Sequence, residues 1–161
     1  MRKILAIILV GIFVVSIPSA SSLMIPRFVR RQMPNIPIQT TDVPDWADGN
    51  ISGVYAEKNE STGYEILGNV FGYYHLSWES SGYYAGAWET LDGNTTGYFA
   101  GWFFYHITIG YYNTTGSEDT GGFIGLFSVN ESDMTIKSVA LVSYENDYDI
   151  LYSLCTYTEF E

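Results

Sequence analysis

One five-residue pattern constrains the fold of this chain more than any other feature: an apolar residue, any residue, glycine, any residue, and an aromatic residue. It appears as "ISGVY", "VFGYY", "YAGAW", "FAGWF" and "FIGLF", with a looser copy in "TIGYY". Alternate side chains of a β-strand share one face, so the apolar residue, the glycine and the ring point the same way. A ring on the neighbouring strand can cover the gap that a glycine leaves. The pattern therefore predicts a sheet built on ring-over-glycine contacts.

Polar turn sequences separate the runs that carry this pattern. They read "NESTG", "ESSG", "LDGNTTG", "NTTGSEDTGG", "NESD" and "ENDYD", and each is rich in turn-forming residues. Between them we predict seven strands, near 50–57, 64–77, 82–90, 96–112, 120–128, 134–145 and 148–158. Short turns imply antiparallel neighbours, and no segment after residue 45 shows a helical period. The predicted fold class is all-β, an antiparallel meander of about seven strands that is barrel-like or rolled into a two-layer sheet.

The longest predicted strand is apolar on both faces. Over 98–111 one alternating set is Phe99, Phe103, Tyr105, Ile107 and Ile109, and the other is Tyr98, Ala100, Trp102 and Phe104. A strand of this kind is covered by protein on both sides, or it presents one face to a partner or a ligand.

The N-terminal residues have the parts of a secretory signal. Arg2 and Lys3 precede an apolar run over 4–15, and small residues follow at 19–22. We therefore predict a signal peptide over residues 1–22. The apolar character continues to residue 25, nearly enough to cross a bilayer, so an uncleaved membrane anchor is the alternative. Both interpretations place the remainder of the chain outside the cell, secreted or at the cell surface.

Proline marks the domain boundary. Four prolines, Pro26, Pro34, Pro37 and Pro44, lie between residues 26 and 44, and none follows. Proline cannot donate to a β-ladder and is kept out of central strands. This distribution predicts a Pro-rich linker over 23–44 and a single β domain over 45–161.

The charge balance limits the choice of partners. The chain has 7 Lys and Arg against 18 Asp and Glu, and only Lys58 and Lys137 lie beyond residue 31. The folded part is therefore strongly negative. This charge argues against a nucleic-acid partner, whose phosphates need basic residues, and favours solubility, cations or a neutral partner. We expect no nucleic-acid partner, and contact with a membrane only through the N-terminal segment if it is uncleaved.

The single cysteine, Cys155, excludes an intrachain disulfide. It lies in the apolar run "ILYSLCTY", which predicts a buried thiol; an intermolecular bridge and a nucleophile are the alternatives.

Five Asn-X-Ser/Thr sequons predict a glycoprotein. They are Asn50, Asn59, Asn94, Asn113 and Asn130, the last four in predicted turns and the first at a strand entrance. Turns are rich in Asn, Ser and Thr for conformational reasons as well, and this is the competing explanation.

Aromatic and acidic side chains suggest two kinds of carbohydrate chemistry. Exposed rings could form a sugar-binding platform, with Trp78, Trp88, Trp102, Tyr73, Tyr83 and Tyr84 as candidates, unless these rings fill the glycine gaps. Glycoside hydrolysis needs two carboxyl groups across the scissile bond. Glu79 and Glu89, each directly after a tryptophan, are candidates, although both lie near turns where acids are ordinary. We expect no catalytic residues and no enzyme activity.

Calcium is the one cofactor that the sequence leaves open. Asp42, Asp45 and Asp48 lie close together in "TDVPDWADGN", and calcium prefers such oxygen ligands in loops. The acidic residues of "GSEDTGG" and "YENDYD" are further candidates, and ordinary acidic turns are the alternative. His75 and His106 are isolated along the chain, and their spacing does not indicate a zinc site.

From Ile51 to Tyr157 the chain resembles uncharacterised exported proteins, many of them archaeal, built from recurrent Gly-aromatic strands. The segments "ISGVYAEKN", "YEILGNVFGYYH", "YFAGWFFYHITIGYY" and "GGFIGLFSVNES" carry the resemblance. It implies no particular activity and transfers no functional residue. The leading hypothesis is a non-catalytic structural or interaction module outside the cell, which contacts cell-envelope components or associates with itself. A carbohydrate-binding module and, less favoured, a glycoside hydrolase are the alternatives.

Overall fold

A computed structural model describes residues 43–61, 63–117, 119–144 and 147–161. The predicted signal peptide, nearly all of the predicted linker, and Asp42 lie outside these residues. The described residues therefore correspond to the predicted β domain.

The fold is a closed eight-stranded antiparallel barrel. Each strand pairs with the next along the chain, and the first pairs with the last through a register that runs from Gly49↔Glu159 to Glu57↔Leu151. The prediction of an all-β antiparallel meander is confirmed, with one more strand than expected. The strands are β1 Gly49–Asn59, β2 Gly63–Trp78, β3 Ser81–Thr90, β4 Thr96–Phe104, β5 Ile107–Thr114, β6 Thr120–Asn130, β7 Thr135–Tyr144 and β8 Asp147–Glu159. Among the described residues, no helix is long and apolar enough to cross a membrane.

The additional strand arises from a turn that the sequence analysis missed. The segment 96–112, predicted as one strand, forms β4 and β5, which are joined at Tyr105 and His106. Tyr105 has φ 54°, in the left-handed region that turns usually assign to glycine or asparagine. Neighbouring backbone holds the turn, because the Tyr105 amide donates to the carbonyl of Ser80 (2.6 Å) and the Phe127 amide donates to that of His106 (2.9 Å).

This turn reverses the face assignment for the second half of the segment. Phe99 and Phe103 face the barrel interior, where they line its cavity. Ile109 pairs with Trp102 and therefore shares the outer face with it. The expected grouping of Ile107 and Ile109 with Phe99 and Phe103 is wrong, since a strand reversal intervenes.

Inward-facing rings lie against glycines of the neighbouring strands. The register pairs Tyr84 with Gly101 and Phe123 with Gly110. A Cβ atom on Gly101 would lie 2.6 Å from Cζ of Tyr84, and one on Gly110 would lie 2.9 Å from Cε1 of Phe123. Real Cβ atoms do not approach other atoms so closely, so a side chain at either glycine would have to move a ring.

The two ends of the barrel interior differ. The closed end, where the β1–β2, β3–β4 and β5–β6 turns lie, contains Tyr55, Trp88 and Tyr112. Tyr55 and Trp88 meet edge to face with ring centroids 6.3 Å apart. Trp88 Nε1 donates to the backbone carbonyl of Asn113 (3.2 Å), and the Tyr112 hydroxyl donates to the backbone carbonyl of Ser143 (3.2 Å). The open end carries the β2–β3, β4–β5 and β6–β7 turns.

Candidate functional site

A cavity of about 570 Å³ occupies the barrel interior on the side of the open end. All eight strands contribute inward side chains to its walls. These side chains are mainly aromatic and aliphatic, and β5 contributes Thr108. The apolar lining includes Ile51, Val70, Phe99, Phe103, Phe123, Phe127, Ile136 and Ala140. A cavity with such walls can hold an apolar molecule of drug-like size.

Small inward residues without a covering ring explain why there is space. A Cβ atom on Gly72 would meet the backbone of Ala85 and Gly86, and one on Gly53 would meet the backbone and Sγ of Cys155. Gly125 lies against Ala140. At the closed end, by contrast, Tyr55 covers Gly68. The interior beside Gly53, Gly72 and Gly125 therefore has no large side chain from these positions, which leaves room for the cavity.

Hydroxyl groups inside the cavity pair with one another. The hydroxyl groups of Tyr84 and Thr108 form a short hydrogen bond. Those of Ser138 and Ser153 lie 2.7 Å apart. Each hydrogen bond uses one donor and one acceptor of its pair, which makes this part of the wall less polar.

Tyr74 differs from these paired hydroxyls. Its side chain lines the cavity, and the residue is only 9% exposed. Its hydroxyl has no hydrogen-bond partner within the described part of the chain. The hydroxyl oxygen is enclosed by protein beside Gly49, so a molecule in the cavity would meet the Tyr74 ring and not its hydroxyl.

The mouth of the cavity is acidic. Glu79, Glu131 and Glu159 line it at the open end, one from each of three separate chain segments, together with His106. Among the described residues that line the cavity, none is lysine or arginine. The mouth therefore disfavours anions and admits neutral or cationic molecules.

The structure distributes the six predicted platform residues over different surfaces. Tyr84 faces the cavity, Trp88 lies inside the closed end, and Trp78 is 77% exposed at the end of β2. Tyr73, Tyr83 and Trp102 share the outer face, where Tyr83 contacts both Trp46 (5.2 Å, 41°) and Trp102 (5.5 Å, 58°). Rings tilted by such angles do not form the flat stacking surface that a pyranose ring needs.

The two candidate carboxylates for hydrolysis lie far apart. Glu79 precedes β3 at the open end and Glu89 lies near its other end, outside the barrel. A strand of this length separates them by roughly 30 Å, several times the spacing of a glycosidase pair. Glu79 therefore joins the cavity mouth, and the two residues cannot act together on one bond.

The aspartates proposed for calcium have other contacts. Asp48 Oδ2 accepts from the Leu76 amide (2.7 Å) and lies 3.0 Å from Nδ1 of His75. Asp45 lies in the exposed segment before β1. Within the described residues, no group of three or more His, Cys, Asp or Glu side chains is arranged to hold a metal ion.

The sequons lie in strands as well as in turns. Asn94 is exposed in the β3–β4 turn, and Asn59 and Asn130 end their strands. Asn50 and Asn113 lie within β1 and β5, and Asn113 Oδ1 accepts from the Tyr98 amide (3.0 Å). Asn94 and Asn130 are thus the most accessible acceptors.

Cys155 is a buried free thiol, as predicted, and it lines the cavity. No sequence pattern indicates Tyr74, Glu131 or Glu159 as site residues. No local signal joins these residues, because the barrel closure assembles them from distant strands.

No protein-family model, curated protein or solved structure matches this chain.

Proposed function

We propose that this chain is a non-catalytic binding barrel that acts outside the cell and holds a small apolar molecule in its interior. The observation that carries the proposal is the cavity, open at one end and lined by aromatic and aliphatic side chains. Its volume of about 570 Å³ falls within the range of small-molecule binding sites.

The chemistry of the cavity supports binding rather than reaction. Its carboxylates lie at the mouth, and the hydroxyls farther inside are paired with each other. Tyr74 contributes its ring to the wall, since its hydroxyl oxygen is enclosed by protein. We therefore expect an apolar ligand that is either neutral or positively charged towards the mouth.

Titration with N-phenyl-1-naphthylamine, a neutral apolar fluorophore, tests the proposal. We expect saturable one-to-one binding by the wild type, and loss of this binding in Ala140→Phe, which places a ring inside the cavity. Ala87→Phe is the matched control, because Ala87 pairs with Phe71 and Tyr98 on the outer face of β3.

Equal binding by the wild type and both variants would show that the fluorophore adheres to the outer face, and the proposal would then be wrong. Loss of binding in both variants together with loss of cooperative unfolding would indicate damage to the fold. In that case the titration is repeated with Ser138→Leu, a smaller change in the same wall. Weaker fluorophore binding by this variant supports the proposal, and unchanged binding contradicts it.

Export and surface location are parts of the same proposal. They are supported by the apolar N-terminal segment and by accessible sequons at Asn94 and Asn130. The intact mass of the protein from its native envelope and culture medium tests both. A species beginning near Leu23 with added hexose-type increments is expected, whereas a full-length, unmodified mass in the membrane fraction would contradict cleavage and glycosylation. Self-association and carbohydrate binding stay predictions.

A further inference from the structure

The outer face of the barrel carries exposed apolar side chains on several sides, whereas the outward residues of β1 are mostly polar or small: Asn50, Ser52, Val54, Ala56 and Lys58. The exposed apolar side chains occur on β2, β4, β5, β6 and β8. Phe71 is 42% exposed, Phe104 57%, Ile107 49%, Leu126 36% and Ile150 53%. Soluble proteins rarely expose contiguous apolar surface on this scale, and water is a poor solvent for it.

These exposed apolar side chains form what we call the apolar band. Charged residues lie mostly outside it, near the two ends of the barrel, which we call the rims. The 13 residues between Glu65 and Glu79 in β2 carry no Asp, Glu, Lys or Arg, and neither do the 11 between Asp119 and Glu131 in β6. The whole of 93–117, which contains β4 and β5, is free of them as well. Lys58, Glu89 and Lys137 are the charged residues at outward positions of the described strands, and each lies within three residues of a strand end, where its side chain can reach water.

The uncharged runs are long enough to cross the hydrocarbon layer of a membrane. A tilted strand crosses the hydrocarbon of a bilayer in about 9–11 residues. Tyrosine and tryptophan lie towards the borders of the band, Trp102 and Tyr83 near the open end and Tyr148 at the closed end. Such residues favour the boundary between hydrocarbon and water.

The geometry also discriminates between occupants. A protein partner or a second copy would cover one side of the barrel, whereas exposed apolar side chains lie on opposite sides, on β2 and on β6. We propose that the barrel spans a lipid bilayer, with the band in the hydrocarbon and the two acidic rims in water; this replaces the expectation that only the N-terminal segment contacts a membrane. Closure through β1 and β8 pairs the backbone groups of the sheet edges, as a bilayer requires. This inference rests on the outward residues alone and is independent of the ligand cavity.

Cysteine labelling in phosphatidylcholine vesicles tests the inference. The variants are Leu126→Cys and Phe71→Cys, from the middle of β6 and β2 on opposite sides of the barrel, in a Cys155→Ser background. Thr120→Cys, on the same face of β6 at the rim, is the matched control. We expect a charged, membrane-impermeant maleimide to label the two mid-band cysteines at least tenfold more slowly than the rim cysteine.

Arginine substitutions provide a second readout that attachment through the N-terminal segment would not affect. Leu126→Arg and Phe71→Arg should each lower the equilibrium constant for folding in vesicles by about 30-fold or more, and Thr120→Arg by much less. On a face exposed to water, all three changes would have similarly small effects.

The outcomes separate the alternatives. Protection and arginine sensitivity on both sides of the barrel support the bilayer. Fast labelling at both mid-band sites would overturn the inference, because the band would then face water. Protection at only one of the two sites would also overturn it, since a one-sided interface with another protein would be responsible.

Discussion

Replacing Gly101 by valine tests the packing on which the whole barrel depends. Gly101 faces the interior and pairs with Tyr84, whose ring lies across it. A Cβ atom at Gly101 would lie 2.6 Å from Cζ of Tyr84 and 2.7 Å from the carbonyl oxygen of Ile109, with the Tyr84 hydroxyl closer still. The ring must therefore move, because the carbonyl belongs to a paired strand.

The expected cost follows from what the displaced ring touches. Tyr84 contacts Phe99, Phe103 and Phe123 with ring centroids 6.0, 6.4 and 6.4 Å away, and its hydroxyl bonds to that of Thr108. Overpacking a well-packed site costs about 1–3 kcal/mol. Loss of the hydroxyl pair adds about 1 kcal/mol. We therefore expect Gly101→Val to lower the free energy of unfolding by about 2–4 kcal/mol.

Urea unfolding, followed by tryptophan fluorescence, measures this change. Ala87→Val is the control, because it places the same valine side chain at an outward position of the neighbouring strand; we expect it to lower the free energy of unfolding by less than about 0.5 kcal/mol. A double-mutant cycle with Tyr84→Ala isolates the contact, since the part of the cost that comes from the ring should disappear once the ring is gone. Strictly additive effects, or an unchanged midpoint in Gly101→Val, would refute the ring-over-glycine reasoning.

Three further predictions concern the closed end, a turn and the cavity mouth. Trp88→Phe, which loses the bond from Nε1 to Asn113, should lower the free energy of unfolding by about 1–2 kcal/mol, whereas Trp78→Phe at a 77% exposed position should leave the urea midpoint unchanged. Hydrogen bonds from Thr90 and then Asn94 lower the pKa of Asp92, so this carboxylate stabilises the fold above its unfolded pKa and loses that effect as the pH falls through its folded pKa. The melting temperature of Asp92→Asn should accordingly lie below that of the wild type at neutral pH and converge with it below about pH 4; a constant difference would contradict this assignment. Changing the three mouth glutamates to glutamine should strengthen binding of an anionic naphthalene sulfonate and leave that of the neutral fluorophore unchanged, as measured by parallel fluorescence titrations.

Local sequence was sufficient to predict much of the barrel. Strand positions and antiparallel order follow from period-two alternation between polar turns, which short-range sterics and solvation control. The ring-over-glycine contact was also predictable, because glycines and rings alternate at positions that share one face of a strand. The register then places Tyr84 beside Gly101 and Phe123 beside Gly110. The turn at Tyr105 was not, because its residues carry no turn signal and neighbouring backbone holds them.

The sequence by itself determined that both faces of the strands are rich in apolar residues and that charges lie near the turns. It could not determine which face is inside, since alternation assigns residues to two sets without orienting either. Closure of β1 on β8 decided this, and it also determined that Gly72 lacks a covering ring, that Tyr74 faces a cavity and that Glu131 and Glu159 meet Glu79 at one mouth. These are contacts between distant segments, and they exist only after the chain ends have been brought together, which no local pattern encodes.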